Sequence, residues 1–174
     1  MPRTKQNCLN EMLVSFSAVS ENEAFARACV SSFVTQLDPL ISELAEIKTA
    51  VSEAVTNCIV HAYRGVPDGR ITMLIRLLPG RRVYIKIRDK GCGITDIAQA
   101  MQPLFTTAPE EERAGLGFAV MESFTDRLRV KSSCGRGTSL VMEKTLQERS
   151  SDESLENSIS DKSRRKSGTG TPVR

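Results

Sequence analysis

Two strand-like runs, Arg70-Ile71-Thr72-Met73-Leu74-Ile75-Arg76-Leu77 and Arg82-Val83-Tyr84-Ile85-Lys86-Ile87-Arg88, flank a tight Pro79-Gly80 turn. The second run leads straight into Asp89-Lys90-Gly91-Cys92-Gly93. Turn residues between two β-rich runs predict adjacent antiparallel strands.

Asn10 to Ala18 alternates polar and apolar residues, with Met12, Val14 and Phe16 on one side, and predicts a first strand with one buried face. Ser20, three residues before Glu23, is placed to cap a helix running to about Gln36. Leu37-Asp38-Pro39-Leu40 breaks it, and Ile41 to about Tyr63 carries Leu44, Ile47, Val51, Ala54, Val55, Cys58 and Ile59 at helical spacing. After Ile94 the sequence predicts a short helical piece and a loop over 102–113, then a helix opening at Ala114-Gly115-Leu116-Gly117-Phe118 and ending near Thr125. Strands Arg127–Ser133 and Thr138–Leu146 close the order. The expected fold is α+β, a two-layer sandwich with helices on one face of a mixed, mostly antiparallel sheet.

A chain of 174 residues with 40% apolar content has room for one domain, expected over 1–147. From Glu148 onward seven serines, six basic and five acidic residues stand against Leu155, Ile159 and Val173, so 148–174 is expected to be a disordered tail. Removing that tail (+6, −5) from the whole (+24, −21) leaves the body at +18 and −16. Near neutrality argues against direct nucleic-acid binding, which needs clustered Lys and Arg with stacking aromatics. No apolar run is long enough to cross a bilayer and no secretory segment is recognisable, so a cytoplasmic protein with no membrane partner is expected. Five scattered cysteines with no CxxC, and a single histidine, predict reduced thiols serving mostly as small apolar side chains and no zinc site.

Glu53 and Asn57 stand four residues apart on the second helix. Magnesium takes few protein oxygens and keeps several waters, so the Asn57 amide oxygen together with phosphate oxygens is a reasonable ligand set. One turn earlier, Glu53 is placed to accept a proton from water or an attacking hydroxyl. Asp89, at a strand end, offers a carboxylate to an exocyclic amine, while Gly91 and Gly93 let backbone approach a flat ring. Gly115 and Gly117 fall where a loop becomes a helix, a place suited to phosphate oxygens. Taken singly, each feature also fits an ordinary solvated helix face, β-turn or helix start. GxxxxGK[ST] is missing and Gly115-Leu116-Gly117 follows a loop, so neither a P-loop nor a dinucleotide fingerprint is present.

E-x-x-x-N, D-x-G-x-G, G-x-G and then Gly135-Arg136-Gly137-Thr138, in that order, resemble the GHKL ATPases, which group gyrase, heat-shock chaperone, mismatch-repair and histidine-kinase ATP domains. More closely, SEAVTN-IVHAY, RDKGCGI, QPLFTT, ER-GLGF-VMESF and GTSL resemble the bacterial anti-sigma serine kinases over about residues 8–146. The resemblance implies Glu53 as general base, Asn57 as magnesium ligand, Asp89 as reader of the adenine amine and Gly91 and Gly93 as shapers of its pocket. It likewise implies Gly115, Leu116 and Gly117 at the phosphates, Arg113 as a lid arginine, Thr106 and Thr107 within that lid, Thr138 on the adenine side and Arg27 as a partner contact. His61 matches a basic position near the phosphates, and simple helix packing fits it equally. A histidine kinase is excluded, because the only histidine lies on the ATP-site helix itself.

The implied function is ATP- and Mg2+-dependent serine phosphorylation of an anti-anti-sigma protein by a homodimer, built on the N-terminal strand, that also sequesters a sigma factor of the sporulation type. An ATP-gated sigma-binding module without significant turnover, and a kinase of a general-stress sigma pathway, remain the alternatives.

Overall fold

The computed structural model describes residues 8–64, 66, 68–102 and 116–148. The expected 148–174 tail, apart from Glu148, and Thr106, Thr107, Arg113 and Gly115 lie outside the described residues. The elements in chain order are β1 (Asn10–Ser17), α1 (Glu21–Val34), α2 (Ile41–Asn57), β2 (Arg70–Leu78), β3 (Arg82–Arg88), α3 (Ile97–Ala100), α4 (Gly117–Phe124), β4 (Arg127–Ser133) and β5 (Gly137–Thr145). A 3-10 turn, Thr35–Leu37, follows α1, and a π-helical turn, Cys58–Ala62, extends α2.

The five strands form one sheet in the order β1-β2-β3-β5-β4. All four ladders are antiparallel, so the parallel pairing allowed by a mixed sheet does not form. Two helices separate β1 from β2, so the chain reverses three times and β2 returns alongside β1 in the opposite direction. β3 and β4 do point the same way, but β5, the hairpin partner of β4, inserts between them.

Alternation along the strands sends one set of side chains inward. Phe16 of β1, Ile71, Met73, Ile75 and Leu77 of β2, Val83, Ile85 and Ile87 of β3, and Leu140 and Met142 of β5 are buried together. They meet Ala26, Val30 and Val34 of α1 and Ile47, Ala50, Val51, Ala54 and Val55 of α2. Each fully buried Ile or Val contributes about 1.5–3 kcal/mol through removal from water. Truncating a central one such as Ile75 to Ala would cost about 2–5 kcal/mol.

The helix starts differ from expectation at one point. Ser20 makes no side-chain cap bond. Glu23 instead accepts from the Ser52 hydroxyl on α2 and pairs with Arg27 one turn along the same helix at 3.2 Å, and these two partners replace the capping box. Glu43, 5% exposed, anchors α2: its carboxylate accepts from the Leu40 N–H at 2.9 Å and from the Gln147 N–H at 2.7 Å, tying the end of β5 to the helix start.

Two compositional expectations also change. Of the five free cysteines, Cys58 alone is buried, while Cys8, Cys92 and Cys134 are exposed. A near-neutral body also conceals a segregation of charge, since the sheet face turned away from the helices gathers Lys86 and Arg88 of β3 and Arg127, Arg129 and Lys131 of β4. The clustered excess that the total charge argued against is therefore present. Among the described residues no helix is long and apolar enough to cross a membrane.

Candidate nucleotide site

Asp89 lies at the end of β3 and is 3% exposed. Its Oδ1 accepts the Gly91 N–H at 2.9 Å and the Thr138 N–H at 3.1 Å, so the loop after β3 and the start of β5 hold the carboxylate from two sides. The Cys58 thiol donates to Oδ2 at 3.8 Å. Burial, and then the Asp89 charge and hydrogen bond, push that thiol well above its ordinary value, so it stays a neutral donor. Asp89 lines a cavity, and its Oδ2 meets only this weak sulfur donor among the described residues.

Close packing around the turn explains the glycines. A side-chain carbon on Gly91 would fall 2.2 Å from the Ala62 carbonyl oxygen, which already accepts the Cys92 N–H at 3.0 Å. Gly93 has φ +75° and would press a carbon to 2.1 Å from the Ser133 carbonyl. The π-turn after Asn57 brings that Ala62 carbonyl into place, a local widening of a kind frequent at functional sites. Tyr63 adds a lock, its hydroxyl accepting the Lys90 N–H at 2.7 Å and donating to the Arg70 carbonyl at 2.7 Å.

The cavity holds about 510 Å³, within the range of small-molecule sites. Of the sequence-predicted residues, Glu53, Asn57, His61, Asp89, Gly93, Leu116, Gly117 and Thr138 all line it. Gly91 backs the wall through its contact with Ala62. Arg27 stands apart on α1, paired with Glu23. The Thr138 hydroxyl is shared with Ser132 at 2.9 Å.

Elsewhere on the cavity wall α2 meets α4. A carbon on Gly117 would stand 3.1 Å from Glu53 Oε2, 3.4 Å from Asn57 Nδ2 and 3.5 Å from Asn57 Oδ1. The α4 N-terminus therefore abuts the two polar side chains, and neither has a hydrogen-bond or ion-pair partner among the described residues. A carboxylate and an amide oxygen left unengaged beside a helix start fit phosphate with a hard cation. No cluster of three acidic, His or Cys side chains able to hold a metal alone exists among the described residues, so phosphate oxygens would have to complete the coordination.

Sequence reasoning missed the side of the pocket made by Thr95, Asp96 and Gln99 at α3 and by Phe118. It also missed Cys58 beneath Asp89. Only Cys58 had a signal, falling one residue after Asn57 where the apolar stripe of α2 continues into the π-turn.

The profile of the histidine kinase-like ATPase domain matches residues 16–144. The chain is 53% identical over 137 residues to the anti-sigma F factor of Bacillus velezensis, covering 79% of this chain and 93% of that protein. It is 52% identical over 137 residues, with the same coverage, to that of Bacillus subtilis. Among solved structures, the RsbU and RsbW domains of a Mycobacterium tuberculosis protein superpose with a TM-score of 0.61 at 19% identity, over 81% of this chain and 34% of that one, a likeness of fold alone. The chain belongs to the anti-sigma F factor family, within the histidine kinase-like ATPases.

Proposed function

We propose that the chain captures an RNA polymerase sigma factor of the sporulation type and, as an ATP-dependent protein serine kinase, phosphorylates and inactivates an anti-anti-sigma antagonist. The observation that carries this reading is one cavity lined both by a buried carboxylate, Asp89, and by the Glu53-Asn57 pair set against a helix start. A nucleotide spans such a cavity with its amine at Asp89 Oδ2 and its phosphates at Gly117.

In that pose Asn57 would hold magnesium through its amide oxygen, and the ion supplies neutralisation of phosphate charge. Glu53 takes the proton from the acceptor serine hydroxyl. The serine oxygen bonds to the terminal phosphorus as the bond to the bridging oxygen breaks, and ADP leaves. Arg113, Thr106 and Thr107 of the proposed lid stabilise the developing charge, with Gly115 beside Gly117 at the phosphates and His61 either at the phosphates or packing the helix.

Partner binding falls to Arg27, which is exposed on α1 and linked through Glu23 to Ser52, the neighbour of Glu53. A homodimer through β1 is supported by its place at the sheet edge and by Leu13, 65% exposed. The direct test mixes purified chain, labelled ATP with magnesium and the antagonist protein. Label on an antagonist serine is expected. Nucleotide-dependent sigma capture with no label would reduce the chain to a nucleotide-gated binding module.

A further inference from the structure

The sheet face opposite the helices carries a trough along β5. Ser139 and Val141 form its floor. Lys86 and Arg129 flank Val141 in register, and Arg88 and Lys131 flank Ser139. Flanking strands lie about 9.6 Å apart, two strand spacings, so four cations wall a strip one extended chain wide. None of the four has an ion-pair partner among the described residues, where the three ion pairs are Arg27–Glu23, Arg76–Glu11 and Lys144–Glu46. Like charges set this closely repel, and the repulsion is relieved by an anionic strand between them.

An anionic segment of sufficient length follows β5 in the sequence. Beyond Glu148, residues 149–161 carry Asp152, Glu153, Glu156 and Asp161 against Arg149 alone. Just before that segment the chain is held at Gln147, whose N–H donates to Glu43. Thirteen extended residues reach about 43 Å, while returning from Thr145 to Ser139 takes about 20 Å. Tethering also supplies an effective concentration in the millimolar range, which a free acidic peptide lacks.

We propose that the acidic segment Asp152–Asp161 folds back over its own strand and docks in the basic trough between β3 and β4. The contact is intramolecular, electrostatic and independent of nucleotide. It shields the face from other polyanions.

Zero-length carbodiimide coupling of the full chain, read by mass spectrometry, tests this. Amide links from Lys86 and Lys131 to Asp152, Glu153, Glu156 or Asp161 are expected in a monomer-sized product, unchanged on tenfold dilution and lost in molar salt. The double variant Arg129→Glu, Lys131→Glu should lower the links at the remaining Lys86 at least fivefold. Links confined to Lys162 and Lys166 of the tail, links between differently labelled chains, or no links to the trough would each overturn the proposal. So would links at Lys86 that persist in the double variant.

Discussion

Gly117 and Glu53 sit so close that a methyl group on the glycine would stand 3.1 Å from the Glu53 carboxylate oxygen. α4 therefore reaches its start directly against the α2 edge that carries the proposed base and metal ligand. The glycine matters here for space, since its backbone needs no left-handed conformation and any side chain would crowd Glu53 and Asn57.

Gly117→Ala is accordingly expected to push Glu53 and Asn57 aside while leaving the fold intact. Phosphoryl transfer should fall at least tenfold, equivalent to about 1.4 kcal/mol, with a melting temperature within a few degrees of the parent. Single-turnover kinetics and thermal denaturation measure the two effects separately.

Asp89→Asn keeps an oxygen for the Gly91 and Thr138 N–H groups but turns the cavity side into a donor. An amine donor then meets a donor, and nucleotide affinity should drop by about 1.5–3 kcal/mol, or roughly ten- to a hundredfold. Calorimetric titration with ATP is the measurement, and unchanged affinity would remove Asp89 from the adenine side.

Gly91→Ala acts on the same turn by a different route. Its new carbon meets the Ala62 backbone 2.2 Å away, with no flexible group to yield. Stability should fall by about 2 kcal/mol or more in urea unfolding, whereas Gly135→Ala, where nothing lies within 4 Å, should cost only the strain of its φ of +68°.

Cys58 gives a pH dependence with a defined sign. Its folded-state pKa is raised above the ordinary 9.0, by burial first and then by Asp89. Its contribution is complete below about pH 9. Above that the unfolded chain releases the thiol proton and the native chain keeps it, so stability falls by up to about 1.4 kcal/mol per pH unit until the folded pKa is passed. Urea unfolding between about pH 8 and about pH 10 should show this slope, and Cys58→Ala should lose it.

How far the sequence carried the fold depends on range. The β2–β3 hairpin was legible because Pro79 and Gly80 are local punctuation, and Asp89 followed from its place at a strand end. The pairing of Glu23 with Ser52, 29 residues away, was not, since nothing local marks a partner reached only through helix packing. The π-turn at Cys58–Ala62 escaped for the same reason: it is fixed by contacts with Gly91 and Cys92 of the following loop. Charge was misread by summation, because Lys86, Arg88, Arg129 and Lys131 gather on one face only once β5 lies between β3 and β4. In the site, Glu53, Asn57, Asp89 and Gly117 were found as a motif, while Thr95, Asp96 and Gln99 belong to a wall that only the fold assembles.

In the proposed reaction Glu53 is the base of a serine kinase. The most direct measurement compares parent and Glu53→Gln for ATP affinity and for single-turnover transfer to the antagonist. Affinity is expected within about threefold of the parent, and transfer reduced by about 10²–10⁴-fold. Transfer surviving at the parent rate in Glu53→Gln, with ATP bound normally, would contradict that role.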